Sequence, residues 1–162
     1  MYHCIFNFYN ASMQGTDYDM RTIFDNTLVH EKPELAITFV DNHDTQPLQS
    51  LQSPVDYWFK PLAYALILLR EQGIPCVFYP SVYEAKYTDY AGGKEIYIEM
   101  NGIGCVEDML KVRKHIACGG QKDYFDHGNT IGVDTGRHRG KSTDWLRRYT
   151  YQQPGRRKKK WK

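Results

Sequence analysis

Four consecutive polar residues, Asp41, Asn42, His43 and Asp44, stand directly behind an apolar run in the stretch "FVDNHDTQP". Two carboxylates, an amide and an imidazole within four positions can do specific chemistry. A carboxylate just past a strand end stabilises positive charge developing on a substrate, and a neighbouring imidazole can donate hydrogen bonds to hydroxyls. Cleavage of a glycosidic bond through an oxocarbenium-like state needs such anionic support. A plainer reading has Asp41, Asn42 and Asp44 capping a turn and His43 as a satisfied loop histidine.

The elements that must position this cluster are legible around it. "LAITFV", residues 35–40, is a continuous apolar run after Pro33, the pattern of a strand buried on both faces in a parallel sheet. "WFKPLAYALILLREQG" reads as a deeply packed helix, with Pro61 in its first turn and Gly73 at its stop. "IPCVFYP", residues 74–80, is a second short buried strand. Strand, helix, strand is a βαβ unit, and functional groups in such folds gather beyond the C-terminal strand ends, where residues 41–44 lie.

Further out, residues 18–24 are a short helical candidate with Asp17 as N-cap. "SVYEAKYTDYAGGKEIYIEMNGIG" reads as a Tyr- and Gly-rich loop, and "DYFDHGNTIG" as a turn into a new strand. Between them an amphipathic helix carries Val106, Met109, Leu110 and Ile116 on its stripe and Gly119 at its end. Two strands of the buried type with two or three helices cannot cover a sheet, so a piece of a larger α/β fold is expected.

At 162 residues and 25% charged residues the chain has the length and polarity of one soluble domain. No apolar run reaches the roughly 18 residues of a membrane span, and "MYHCIFNFYNAS" lacks the features of a secretory signal. A cytoplasmic location is the expectation. Cys4, Cys76, Cys105 and Cys118 are spaced singly and read as buried, reduced thiols, without zinc or disulfide. The net charge of +2 hides an asymmetry: residues 133–162 hold 11 Lys/Arg against Asp134 and Asp144, leaving 10 Lys/Arg against 17 Asp/Glu in residues 1–132.

The string "TFVDNHDTQPLQSLQSPVDYWFKPLAYALILLREQGIPCVFYP" resembles the alpha-amylase family of glycoside hydrolases, in particular its bacterial liquefying and cytoplasmic type. The likeness extends through "NASMQGTDYDMRTIFDNTLV" and "DYFDHGNTIG" and covers nearly all of residues 5–132. It implies an α/β fold made of the last two βα units of a (β/α)8 TIM barrel in residues 1–118, then the start of a C-terminal β domain in 119–132. It also implies roles: Asp44 as the catalytic carboxylate that stabilises the transition state, and His43 as a substrate-binding hydrogen-bond partner of the sugar. Asp41 and Asn42 would support the loop, with Trp58 packing rather than stacking on sugar. The implied substrate is an α-1,4-linked glucan such as starch or glycogen.

Departures accompany the resemblance. The family's nucleophilic Asp and general-acid Glu lie on strands this sequence does not contain, so the chain alone is expected to be inactive, completed at most by a separate N-terminal half of the barrel. Ser81 stands where the family usually has an acidic residue. Calcium belongs to the full-length family; Thr16, Tyr18 and Asn129 match positions of a second calcium site, but no metal is expected in this chain, because such sites need six to eight oxygen ligands.

The likeness stops at Val133. Residues 133–162, ending "RRKKKWK", show no sustained period and are expected to form a basic, disordered tail. A nucleic-acid arm with Trp161 stacking on bases is one reading. The favoured one is a shifted reading frame. Free codon choice, read one base earlier, permits a tryptophan-threonine-arginine-glutamate strand and a segment like the family's continuation. On that reading no nucleic-acid partner is expected. Loop residues Tyr83, Tyr87, Tyr90 and Tyr97 offer an alternative, a non-catalytic carbohydrate-binding surface.

Overall fold

The computed structural model describes residues 3–117, 120–135 and 147–152 of the chain. At its centre, β1 (Ile37–Thr38) and β2 (Ile74–Pro75) pair in parallel with Ile37 opposite Ile74, and α3 (Lys60–Leu68) connects them. Backbone bonds of 2.7 Å run from Ile74 N–H to the Ala36 carbonyl and from Cys76 N–H to the Thr38 carbonyl. The βαβ unit read from the sequence is therefore present. Its strands are shorter than the runs 35–40 and 74–80, because Pro75 has no N–H to extend the ladder and Pro80 already opens helix α4 (Pro80–Tyr83).

Helix α3 is apolar nearly all round, with Ala63 through Leu69 buried, so it lies in the core rather than on a surface. Pro61 sits in its first turn, where the missing N–H costs no hydrogen bond. It ends at Leu68, ahead of the expected stop at Gly73. Gly73 instead makes the turn into β2, at φ +83°, with Thr38 Cγ2 only 2.7 Å from where a Cβ would stand. Arg113, from α5 (Val106–His115), donates to the carbonyls of Leu68 and Arg70 at 2.9 and 2.8 Å and satisfies the open end of α3.

An opening helix, α1 (His3–Gln14), had no counterpart in the sequence reading. Ile5, Phe8, Ala11 and Ser12 form its buried stripe, and Phe8 packs at 6.4 Å from both Phe24 and Phe59. The helix expected over 18–24 is replaced by two 3-10 turns, Gly15–Asp17 and Met20–Thr22. The capping carboxylate is Asp19, not Asp17, and it accepts from Arg21 N–H. This late start leaves too little chain for a full helix before Asn26, whose φ of 56° breaks helical geometry. A short helix, α2 (Leu28–Glu31), capped by Thr27, leads toward β1.

The Tyr- and Gly-rich segment is not a loop but a hairpin, β3 (Ala85–Ala91) and β4 (Lys94–Met100). Gly92 and Gly93, at φ +58° and +74°, supply the mirror-image turn that matches strand twist. Helix α5 forms close to where the period placed it, with Val106 fully buried, although Leu110 turns outward at 39% exposure. Its expected stop, Gly119, lies outside the described residues.

Strands β5 (Gln121–His127), β6 (Thr130–Thr135) and β7 (Arg147–Gln152) make an antiparallel sheet in that order. Of the string 123–132, read as a turn into a new strand, residues 123–127 already belong to β5, and the new strand is β6. It runs across the 132/133 boundary drawn from the sequence, and part of the expected tail, residues 147–152, pairs with it. The remainder of that tail, 136–146 and 153–162 with Trp161, lies outside the described residues. This sheet docks through Arg70, whose guanidinium pairs with Asp123 at 2.6 Å and lies 4.2 and 5.4 Å from the rings of Phe24 and Phe125. Among the described residues the strands form sheets of two, two and three, and no closed barrel.

The cysteines divide. Cys4 is buried, and burial pushes its thiol up to about 12; Cys105 is half-buried; Cys118 lies outside the described residues. Cys76 is exposed, which corrects the expectation that all four are core thiols. It stands just past β2, directly after Pro75, and the apolar look of the run 74–80 had hidden its exposure.

Candidate active-site segment

The cluster 41–44 leaves the C-terminal end of β1 and is held by its own side chains. Asn42 Oδ1 accepts the backbone N–H groups of Asp44 and Thr45 at 3.1 and 2.9 Å, while Asn42 N–H donates to Thr45 Oγ1 at 3.1 Å. This is an Asx-type turn, in which a side chain replaces the backbone carbonyl of a regular turn. Thr45 is fully buried. Farther along, Leu51 N–H donates to the Asp44 carbonyl at 3.2 Å and Ser53 N–H to that of Thr45 at 3.0 Å, closing a loop over 44–53.

Asp41 and Asp44 then separate by environment. Asp41 is buried, and Lys60 Nζ, at the start of α3, stands 2.8 Å from its Oδ2. That oxygen receives no well-aligned hydrogen bond, so the contact is an ion pair held by charge rather than by direction. A cation in the first turn of a helix opposes the helix dipole, and the Asp41 carboxylate offsets it. Tyr64, one turn along α3, has its hydroxyl pushed up to about 12, first by burial, with Ser81 acting the other way and Asp41 adding to the rise. Ser81 is close enough to bear on the phenol, yet the Tyr64 hydroxyl makes no well-formed hydrogen bond.

Asp44 and His43 face outward. Their side chains are 38% and 81% exposed, with His43 Nε2 at 3.3 Å from Asp44 Oδ1. The structure thus brings the two residues selected from the sequence into one polar edge open to a ligand, on a turn fixed from beneath. An acceptor-only carboxylate next to an imidazole can hold the hydroxyls of a sugar and face a developing cation.

Neighbouring segments buttress the loop. Gln49 Nε2 donates to Asp89 Oδ2 at 3.2 Å and Tyr87 OH to the Pro47 carbonyl at 3.4 Å, so the β3–β4 hairpin braces it. Tyr87 is half-buried, whereas Tyr83, Tyr90 and Tyr97 are 62%, 70% and 63% exposed. Trp58 packs: its indole N–H donates to the Ser12 carbonyl at 3.2 Å and its ring meets Phe59 edge-on. Two supporting residues escaped the sequence reading, Lys60 and Gln49. A lone cation opening an otherwise apolar helix was the available signal for Lys60; Gln49 gave none.

Two contacts run beside Thr16, Tyr18 and Asn129, the positions that match a second calcium site. Met20 N–H binds the Gly128 carbonyl at 2.7 Å, and both oxygens of Asp19 are occupied by the Arg21 side chain. Among the described residues no group of three or more His, Cys, Asp or Glu side chains gathers as a metal site. No helix among them is long and apolar enough to cross a membrane.

Comparison with curated proteins places this geometry in context. The chain is 53% identical over 125 residues to a cytoplasmic alpha-amylase of Escherichia coli (strain K12), a match covering 76% of this chain and 25% of that protein. It is 50% identical over 127 residues to an alpha-amylase of Bacillus licheniformis, covering 78% and 24%. A glucan 1,4-alpha-maltohexaosidase of Bacillus sp. (strain 707) is 48% identical over 131 residues, covering 78% and 23%. No protein-family model matches the chain. The chain spans about a quarter of the length of these relatives. Shared identity of this level over three quarters of its residues, with Asp44 and His43 set on the end of a parallel βαβ unit, means that the chain belongs to the alpha-amylase family.

Proposed function

We propose that this chain forms one wall of an alpha-amylase active site, in which Asp44 stabilises the oxocarbenium-like transition state and His43 hydrogen-bonds the sugar in the cleaved subsite. The observation that carries this is the Asx-type turn of Asn42, which presents the Asp44 carboxylate beside His43 at the C-terminal end of β1. On this reading β1–α3 and β2 are the last two βα units of a (β/α)8 barrel. The reaction is retaining endo-hydrolysis of α-1,4-glucosidic bonds in a starch- or glycogen-like glucan, in the cytoplasm, as the name of the Escherichia coli relative suggests.

A retaining mechanism requires a nucleophilic carboxylate and a separate acid/base carboxyl flanking the bond, about 5–5.5 Å apart. Asp41 cannot serve as either, being buried and paired with Lys60. Asp44 therefore supplies electrostatic stabilisation, while nucleophile and acid come from polypeptide outside these 162 residues. The basic segment 133–162 has no part in the chemistry, and the coding DNA around codon 132 tests whether it arises from a shifted frame.

A second reading rests on Tyr90 and Tyr97, exposed on the same face of the β3–β4 hairpin: a carbohydrate-binding surface without catalysis. Two measurements separate the readings. Purified chain incubated with soluble starch should release no reducing sugar; turnover abolished by Asp44→Asn would refute the inactivity of the isolated chain. Calorimetry with maltooligosaccharides should give binding that responds to His43→Ala; binding lost in Tyr90→Ala and Tyr97→Ala but not in His43→Ala favours the second.

A further inference from the structure

The loop that follows Asp44 is strained at its apex and braced there from outside. Leu48 adopts φ +67°, the left-handed region, which a residue with a branched side chain keeps only when its surroundings hold it. Little of the core reaches this apex: Pro47, Leu48 and Gln49 are half-buried, and Ser50, Leu51 and Gln52 are exposed. Within the loop, Gln52 Oε1 accepts the Leu48 N–H at 3.0 Å. On either side of Leu48 the contacts come from β3, 40 positions on: Tyr87 OH donates to the Pro47 carbonyl and Asp89 Oδ2 accepts from Gln49 Nε2. Tyr87 and Asp89 lie on one face of the hairpin, with Ile98, the cross-strand partner of Tyr87, buried beside them. The hairpin is anchored apart from the loop, since Ile103 N–H, just past β4, donates to the Ser81 carbonyl at 2.7 Å and Tyr57 OH to the Gly102 carbonyl at 2.9 Å.

We propose that Asp89 and Tyr87 are positioning residues for the Asp44–His43 edge. By holding Gln49 and Pro47 they keep Leu48 in its left-handed conformation, and that conformation returns the chain so that Leu51 N–H reaches the Asp44 carbonyl. Released from the hairpin, Leu48 relaxes to ordinary backbone angles and residues 47–51 rearrange. The Asn42 turn still holds Asp44 from beneath, but its support from the loop side is gone. Both residues act through the loop rather than by contact with a sugar. That the edge serves a glucan rests on the amylase reading above; the coupling itself rests on the bonds between hairpin, loop and Asp44.

The test compares the full chain with Asp89→Ala, Asp89→Asn and Tyr87→Phe. Asparagine keeps an acceptor for Gln49 Nε2 without the charge, whereas alanine keeps neither. Amide exchange followed by NMR reads the loop, the ring resonances of His43 read the edge, and calorimetry with maltohexaose reads binding. Asp89→Ala should speed exchange at Leu51 by about tenfold or more, shift the His43 resonances and weaken maltohexaose binding, with exchange in α3 unchanged. Asp89→Asn should restore all three, and Tyr87→Phe should show the same changes to a smaller degree. If Asp89→Ala does not fold, Tyr87→Phe decides by the same readouts. Unchanged Leu51 exchange and His43 resonances overturn the inference, as does Asp89→Asn behaving like Asp89→Ala. Exchange that rises equally throughout the chain also overturns it, in favour of a general loss of stability, and so does full-strength binding on a displaced edge. Loop and edge that move together, with no maltohexaose bound even by the natural sequence, uphold the coupling and refute the glucan reading, so the two fail separately.

Discussion

Asn42 Oδ1 accepts the backbone N–H of Asp44 at 3.1 Å, and this bond, with its companion to Thr45, holds the backbone from which the Asp44 carboxylate projects. Asn42→Ala removes this one acceptor, and with it both bonds, while leaving the strand intact. The expected cost is about 1–2 kcal/mol of stability, measured by urea unfolding, with faster amide exchange confined to Asp44 and Thr45. Unchanged exchange at those two amides would mean that the turn is held by other contacts.

Lys60 and Asp41 form the buried counterpart of that exposed edge. Lys60→Met leaves a carboxylate in the core without its cation, and about 3–5 kcal/mol of destabilisation is expected. The double variant Asp41→Asn, Lys60→Met should recover most of it, because no uncompensated charge remains. Calorimetric unfolding of the three proteins checks this, and additive losses in the double variant would contradict it.

Much of this arrangement could be read from residue order, and the exceptions have physical causes. The βαβ unit was legible because an apolar run, a helix with Pro61 in its first turn and a second apolar run follow one another. The β3–β4 hairpin was hidden because its outward Lys86, Thr88, Glu95 and Glu99 make the strands look polar, although Gly92–Gly93 marked the turn. Helix α1 was missed because it starts without an acidic residue in its first turn, and the exposed Phe6 and Met13 blur the period of its buried stripe. Within the site, Asp44 and His43 stood out by type and spacing. Lys60 did not, since its meaning depends on an ion pair across 19 positions that only folding creates.

Alkaline pH should weaken the fold through two buried acids. Burial raises the Cys4 thiol from 9.0 to about 12 and the Tyr64 hydroxyl from 10.0 to about 12. Both are neutral when protonated, so the unfolded chain loses these protons first and binds fewer of them above pH 9.0. Stability is therefore complete below pH 9.0 and falls as pH rises toward 12. Urea midpoints on either side of pH 9.0 should show a drop that is smaller in Cys4→Ala; an equal drop in that variant would remove Cys4 from the explanation.

The central claim is that Asp44 stabilises the transition state of glucan hydrolysis in a site completed by other polypeptide. Its most direct test is the rate of maltooligosaccharide hydrolysis by the chain mixed with the complementary part of the Escherichia coli relative, comparing the natural sequence with Asp44→Asn. The expected result is turnover by the mixture, none by the chain alone, and a loss of about 10²–10³-fold in Asp44→Asn. Hydrolysis by the Asp44→Asn mixture at the rate of the natural sequence would contradict the claim.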